Sequence, residues 1–416
     1  MKILVVGSGG REHAVCAAIA KSSLCTELFC APGNAGIGEI ATLIDVKAMD
    51  IPGMIAAVRE FGIDFVAVIP DDPLAAGMVD AMTAAGIRAF GPTAAAAQIE
   101  ASKAFGKDVM AVAGIPTADY REFGDVGAAM AYAKICPVPI VVKADGLALG
   151  KGVLMCYTRQ DVIEAVRSCF DGAFGASGQR VVIEEMMSGP EMTVLAFCDG
   201  KIAVPMVTSQ DYKRSHDGDK GLNTGGMGSV SPALHEQPED LEWVSANVLQ
   251  PCIDELARRG TPFAGVLYAG LMRTPQGLKV IEFNARFGDP ETQVVLEKLK
   301  SDLVEVFVAC CDGKLNETQI EWKQNTAILV VAASGGYPSK YQTGYRIDGI
   351  MEAEKLGTVV YHAGTKMVDG QVVTAGGRVL GVTAAAADLA TARELAYRGL
   401  AAIDFRDMHW RGDIGR

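Results

Sequence analysis

The chain has 416 residues, 50% hydrophobic and 21% charged, which excludes a disordered polymer and exceeds what a single hydrophobic core covers. Its 38 basic and 50 acidic residues leave a net charge of −12, which excludes general affinity for nucleic acid while allowing an anionic small substrate at a locally basic or metal-bearing site. No apolar run has the length of a membrane helix, Met1–Gly7 breaks too early for a signal peptide, and ten cysteines without zinc-type spacing read as free thiols of a cytoplasmic protein.

In chain order, Lys2–Val6 reads as a strand, Arg11–Lys21 as a helix and Leu28–Cys30 as a strand. Met54–Phe61 is helical, Phe65–Ile69 a strand, Ala75–Ala85 a helix and Arg88–Phe90 a strand. This alternation predicts a parallel sheet with helices on both faces, and the loops after Val6, Cys30 and Ile69 then share the ligand-binding rim. A helical stretch Ala94–Ala113 stops at Gly114-Ile115-Pro116. A smaller α+β lobe follows, with helices Val126–Ala133 and Gln160–Phe170 and strands Ile140–Lys143, Val153–Cys156 and Arg180–Glu184. Further strands are expected at Met192–Cys198, Phe263–Met272 and Leu278–Phe283, and helices at Leu241–Arg259 and Glu291–Cys311. The last block carries strands Ala327–Ala333, Thr358–His362 and Val379–Thr383 and a final helix Ala385–Ala402.

Five segments carry chemistry. Gly7-Ser8-Gly9-Gly10-Arg11-Glu12-His13 joins the first strand to the first helix, where glycines and a helix amino end suit a phosphate. A plain tight turn is the alternative, and Glu12 breaks the dinucleotide fingerprint by standing at its third glycine position. His13 reads as a structural hydrogen-bonding residue. Lys143 and Lys151 flank the glycine-rich turn Ala144–Gly152, as lysines of a flap over nucleotide phosphates or of a solvated hairpin. Lys143 ends an apolar strand, where an unpaired ammonium is costly. Glu184, Glu185 and Glu191 offer acceptors for a ribose or an adenine amino group, or mark an ordinary strand end. Ser209–Arg214 and the glycine-rich Gly221–Gly228 suggest a substrate-covering loop or a solvated connection. Strand alternation puts Glu282, Asn284 and Arg286 on one face: a carboxylate and an amide oxygen for Mg²⁺, with a guanidinium fork for an anion. A polar outward strand face is the alternative.

In this order the segments resemble the phosphoribosylamine–glycine ligase (glycinamide ribonucleotide synthetase) family of the ATP-grasp superfamily. The resemblance runs through Gly7–Ala14, Ala31–Gly36, Phe90–Thr93 with Ser102–Asp108, Lys143–Val153, Ser209–Arg214, Asn223–Gly228, Tyr268–Met272, Ile281–Gln293 and Gly376–Val379. It implies an amino-terminal α/β domain over 1–101, a two-lobed ATP-grasp core over 102–325 with its small lobe near 118–190, and a carboxy-terminal α+β domain over 326–416. It also implies ATP-dependent ligation of glycine to 5-phosphoribosylamine in purine biosynthesis, through glycyl phosphate, with Mg²⁺ or Mn²⁺. By the same resemblance Lys103, Lys143, Lys151, Glu184, Glu185 and Glu191 hold ATP, and Glu282 and Asn284 hold the metal. Gly9, Gly10, Arg11, Asp71, Asp211, Arg286, Gly288 and Asp289 face the other substrates, and Lys143 and Arg286 are the expected catalytic residues. A cytoplasmic monomer or weak dimer with small-molecule partners is expected, without nucleic acid or membrane. The sequence departs from the family pattern at Asp71, which shortens a glutamate, and at Leu149, Leu222 and Glu297; none of these removes a charge the chemistry needs.

Overall fold

A computed structural model describes residues 1–147 and 152–416. Strands β1 (Lys2–Gly7), β2 (Glu27–Pro32), β3 (Thr42–Leu43), β4 (Phe65–Val68) and β5 (Arg88–Phe90) form a parallel sheet in the order β3-β2-β1-β4-β5. The strands are continuous apolar runs because both faces are covered. Leu4, Val6, Val66 and Val68 enter one core, while Ile3, Val5, Phe65 and Ala67 enter another. The carboxyl ends of β1, β2 and β4 meet on one rim, where Asn34 donates to the Ser8 carbonyl at 2.9 Å.

The expected helix Ala94–Ala113 is broken at Ser102 into Ala94–Ala101 and Lys103–Ala113. Ser102 is extended (φ −131°), and its hydroxyl accepts from the Phe105 N–H, so one residue ends the first helix and caps the second. The same hydroxyl lies 3.2 Å from Asp145, fixing the turn after the strand Ile140–Ala144. That turn belongs to the small lobe, built from β6 (Tyr120–Phe123), β7 (Ile140–Ala144), β8 (Val153–Cys156) and β9 (Val181–Glu185). Its antiparallel sheet has the order β6-β9-β7-β8 and packs on the helices Val126–Ala133 and Arg159–Ser168.

The chain continues through β10 (Glu191–Asp199), β11 (Ala203–Pro205), β12 (Gln210–Asp211), β13 (Arg214–His216), β14 (Lys220–Asn223), β15 (Gly228–Ser231), β16 (Ala264–Thr274) and β17 (Gly277–Asn284). The central sheet has the order β11-β10-β16-β17. The carboxy-terminal strands β18 (Thr326–Ala333), β19 (Val359–His362), β20 (Thr365–Val368), β21 (Gln371–Thr374) and β22 (Arg378–Ala386) include a β20–β21 hairpin.

Ser209–Arg214 and Gly221–Gly228, expected as a substrate-covering loop or a solvated connection, instead contribute to strands. β12 and β15 join the carboxy-terminal sheet in the order β12-β15-β18-β22-β19, and β13 pairs with β14 as a hairpin. Their glycines hid the pattern: a Cβ on Gly228 would sit 2.7 Å from the Leu329 carbonyl, so the strand needs glycine for close pairing. The carboxy-terminal sheet thus crosses the boundary expected near 325. Two further helices are shorter than expected. Gly77, in the left-handed region (φ +83°), separates Asp71–Ala75 from Met78–Ala84. Asp302 caps a new helix, separating Leu303–Asp312 from Glu291–Glu297. No helix among the described residues is long and apolar enough to cross a membrane, and all ten cysteines are free.

Candidate active site

Residues of the small-lobe, central and carboxy-terminal sheets, of the β13–β14 hairpin and of the segments after β1 and β4 line a cleft of about 900 Å³. Most residues singled out in the sequence lie on its wall: Arg11, Asp71, Lys103, Lys143, Glu184, Glu185, Glu191, Asp211, Glu282, Asn284, Arg286 and Asp289. Lys151 lies outside the described residues.

The glycine loop behaves differently from a bare phosphate cradle. Glu12 folds back so that its carboxylate accepts the Gly9 N–H at 2.6 Å and the Arg11 Nε–H at 2.7 Å. The Gly9 amide is therefore engaged by the helix's own cap. Gly10 is needed for close approach: a Cβ there would meet Gln293 at 2.9 Å and Asp289 at 3.9 Å. His13 is structural, as read: its Nδ1 accepts from the His362 N–H at 2.8 Å across to β19. Burial lowers His13 to about 3 and His362 to about 4.

On the small-lobe side, β7 and β9 run side by side and bring Lys143 and Glu184 together at 2.5 Å. Lys107, from the helix beginning at Lys103, takes the other Glu184 oxygen at 2.6 Å. Burial pushes the Glu184 carboxyl up, but Lys143 and Lys107 outweigh it and hold it below its usual range. Each Glu184 oxygen thus pairs with a lysine on the cleft wall. Lys103 donates to the Gly146 carbonyl at 2.8 Å, and burial lowers its pKa. Glu185 is half exposed beside Lys279 at 3.3 Å. Glu191 pairs with Lys213, which also stands 3.8 Å from Asp211. Burial raises Asp211 against the pull of Lys213.

On the opposite wall Glu282 and Asn284 end β17. Burial pushes Glu282 up, but Lys143, Lys213, Lys103 and Arg286 together hold it low. The Asn284 amide oxygen accepts from Arg286 at 2.9 Å. Arg286 also meets Glu100 at 3.1 Å, and its buried Nε has no partner among the described residues. Burial lowers Arg286, yet Glu100 and Asp71 raise it overall, so it stays a fixed cation. Asp289 is gripped by Arg378 at 2.7 Å and Gln293 at 2.8 Å. Gly288 lies behind this wall, where a Cβ would come within 2.6 Å of a Glu291 oxygen.

Glu282 and Asn284 fit a hard divalent cation. Glu282 is ionised on the cleft wall, it accepts no hydrogen bond among the described residues, and Asn284 adds a neutral oxygen. No group of three or more His, Cys, Asp or Glu among the described residues forms a closed metal cage. That pattern suits an ion that takes its remaining ligands from water and phosphate.

Sequence reasoning missed Glu100, Lys107, Lys213, Glu291 and Arg378, all on the wall. Four of them lay inside the matched segments, and Lys107 follows Lys103 by one helical turn; Glu100, in an alanine-rich helix, gave no signal.

Comparisons with known proteins agree with this geometry. Family models match residues 1–100 (phosphoribosylglycinamide synthetase, N domain), 101–292 (ATP-grasp (A) domain) and 327–416 (C domain). A phosphoribosylamine–glycine ligase of Brucella melitensis is 47% identical, over 100% of this chain and 97% of its own. One from Escherichia coli is also 47% identical, covering 100% and 98%. The crystal structure of phosphoribosylamine–glycine ligase from Thermotoga maritima superposes with a TM-score of 0.88 at 30% identity, covering 99% of this chain and 100% of that one. The chain belongs to the phosphoribosylglycinamide synthetase family.

Proposed function

We propose that the chain is a phosphoribosylamine–glycine ligase, joining glycine to 5-phosphoribosylamine with ATP to give glycinamide ribonucleotide, ADP and phosphate in purine biosynthesis. One observation carries the chemistry: on the cleft wall the Glu282 carboxylate is held low by Lys143, Lys213, Lys103 and Arg286, and, two residues on, the Asn284 amide oxygen accepts from Arg286. The described wall of the cleft holds neither cysteine nor serine, which agrees with a reaction that needs no covalent enzyme intermediate.

In this reading a glycine carboxylate oxygen attacks the γ-phosphorus of ATP, the bond to the β-phosphate oxygen breaks, and ADP leaves. The amine of phosphoribosylamine then attacks the acyl carbon of glycyl phosphate, loses a proton, and expels phosphate. Lys143 and Lys103 hold nucleotide phosphates, and Arg286, whose Nε has no partner among the described residues, offers a donor to the glycine carboxylate or the transferred phosphoryl group. Glu191 and Glu185 face the adenosine. Arg11, Asp71, Asp211 and Asp289 surround the phosphoribosylamine and glycine end. A divalent cation (Mg²⁺ or Mn²⁺) held by Glu282 and Asn284 supplies charge neutralisation on the nucleotide phosphates when bound. Catalysis is then positioning and electrostatic stabilisation. The enzyme would work in the cytoplasm as a monomer or weak dimer.

The intermediate is tested with glycine labelled by ¹⁸O in its carboxylate. One ¹⁸O per phosphate released is expected; unlabelled phosphate alongside normal amide formation would overturn the acyl phosphate route.

A further inference from the structure

Lys107 has no obvious reason to be where it is. It is 2% exposed at the cleft wall, on the Lys103–Ala113 helix, in a place where a lone ammonium would be strongly disfavoured. Its Nζ donates to Thr117 Oγ1 at 2.8 Å and pairs with Glu184 at 2.6 Å. Thr117 in turn donates to the Val280 carbonyl at 2.7 Å, while Lys143 reaches the Ile281 carbonyl at 3.4 Å. The network therefore ties β7 and β9 of the small lobe to β17 just before Glu282.

The charges sharpen the point. Glu184 meets Lys143 at 2.5 Å, and that pair alone is neutral. A neutral pair attracts nucleotide phosphate weakly, because the carboxylate cancels the ammonium at close range. Lys107 adds a second positive charge to the same carboxylate, so the buried trio carries one net positive charge.

We propose that Lys107 is a positioning residue for nucleotide binding: it offsets and orients Glu184, leaving the Lys143 ammonium electrically available to the phosphates. This rests on the reading of the cleft as an ATP site. Lys107 acts through Glu184 and needs no contact with the nucleotide.

The test is titration of the full chain with Mg·ATP, followed by calorimetry. Lys107→Met leaves Glu184 to neutralise Lys143, and its Kd should rise about tenfold or more. Lys107→Met combined with Glu184→Gln restores one net positive charge, so its Kd should return to within about threefold of the parent. That rescue is the signature, since a purely structural loss would deepen with the second substitution. Parent-like affinity in Lys107→Met overturns the proposal, as does a double variant as weak as the single one, which would put Lys107 on the nucleotide itself. If Lys107→Met does not fold, the double variant, free of the unpaired buried carboxylate, decides alone: near-parent Kd supports the proposal and a loss above about tenfold refutes it. A parent chain that fails to bind Mg·ATP would instead sink the ATP-site reading, and this inference with it.

Discussion

Glu282 is surrounded by four cationic side chains and still lies open on the cleft wall, so replacing it should remove function with little effect on the fold. Glu282→Ala is expected to lower kcat by about a thousandfold or more, the scale of losing a principal electrostatic contact, with a nearly parental unfolding midpoint. Near-normal turnover at saturating metal would refute its role as a metal ligand. The Glu282-Phe283-Asn284 alternation was legible in the sequence because strand periodicity is simple and the polar residues carried their own chemistry. The partners of Glu184 were not. That carboxylate looked like an acceptor for a ligand, and only the pairing of β7 with β9 and the packing of the Lys103–Ala113 helix show it committed to two lysines.

Among the elements, the first helix and its glycine loop do two jobs. The loop faces Asp289, and His13 reaches across to β19, where the His362 ring meets Thr365 at 3.0 Å. Both imidazoles are neutral when buried, with folded-state values near 3 and 4 against 6.5 for an ordinary histidine. Depressed values mean that the unfolded chain binds more protons. Their contribution to stability is thus complete above about pH 6.5 and is lost as the pH falls toward 4. Each histidine contributes a slope of about 1.4 kcal/mol per pH unit in that window. Denaturant unfolding at pH 7 and pH 5 should show His13→Gln losing less stability on acidification than the parent; an equal loss would contradict the assignment. Helix breaks were the harder feature to foresee. Ser102 reads as one polar residue inside a long helical pattern, and only its contact with Asp145 gives the break a purpose.

At the scale of the whole molecule, the carboxy-terminal tail clasps the β13–β14 hairpin that roofs the cleft. Arg411, 1% exposed, donates to the Arg214 carbonyl at 3.1 Å and pairs with Asp219 at 2.9 Å and Asp413 at 2.7 Å. His409 contacts the Ser215 carbonyl at 2.7 Å, and the Gly412 N–H donates to Asp217 at 2.8 Å. Arg411→Ala should lose about 2 kcal/mol in denaturant unfolding, the scale of a hydrogen bond to a charged group, with faster hydrogen exchange across residues 213–224; unchanged exchange there would contradict the clasp. This long-range arrangement was the least legible part of the sequence. The order of α/β elements announced the parallel sheet, but nothing local told that β12 and β15 pair into a sheet whose other strands begin only at Thr326.

The central claim is the reaction, and substrate dependence tests it most directly. ADP release would be followed with Mg·ATP, glycine, and phosphoribosylamine generated in place from ribose 5-phosphate and ammonia, omitting each in turn. Release is expected only when all are present, with an amide product of the mass of glycinamide ribonucleotide. ADP release that persists without glycine or without the amine, or that requires a different acid or amine, would contradict it.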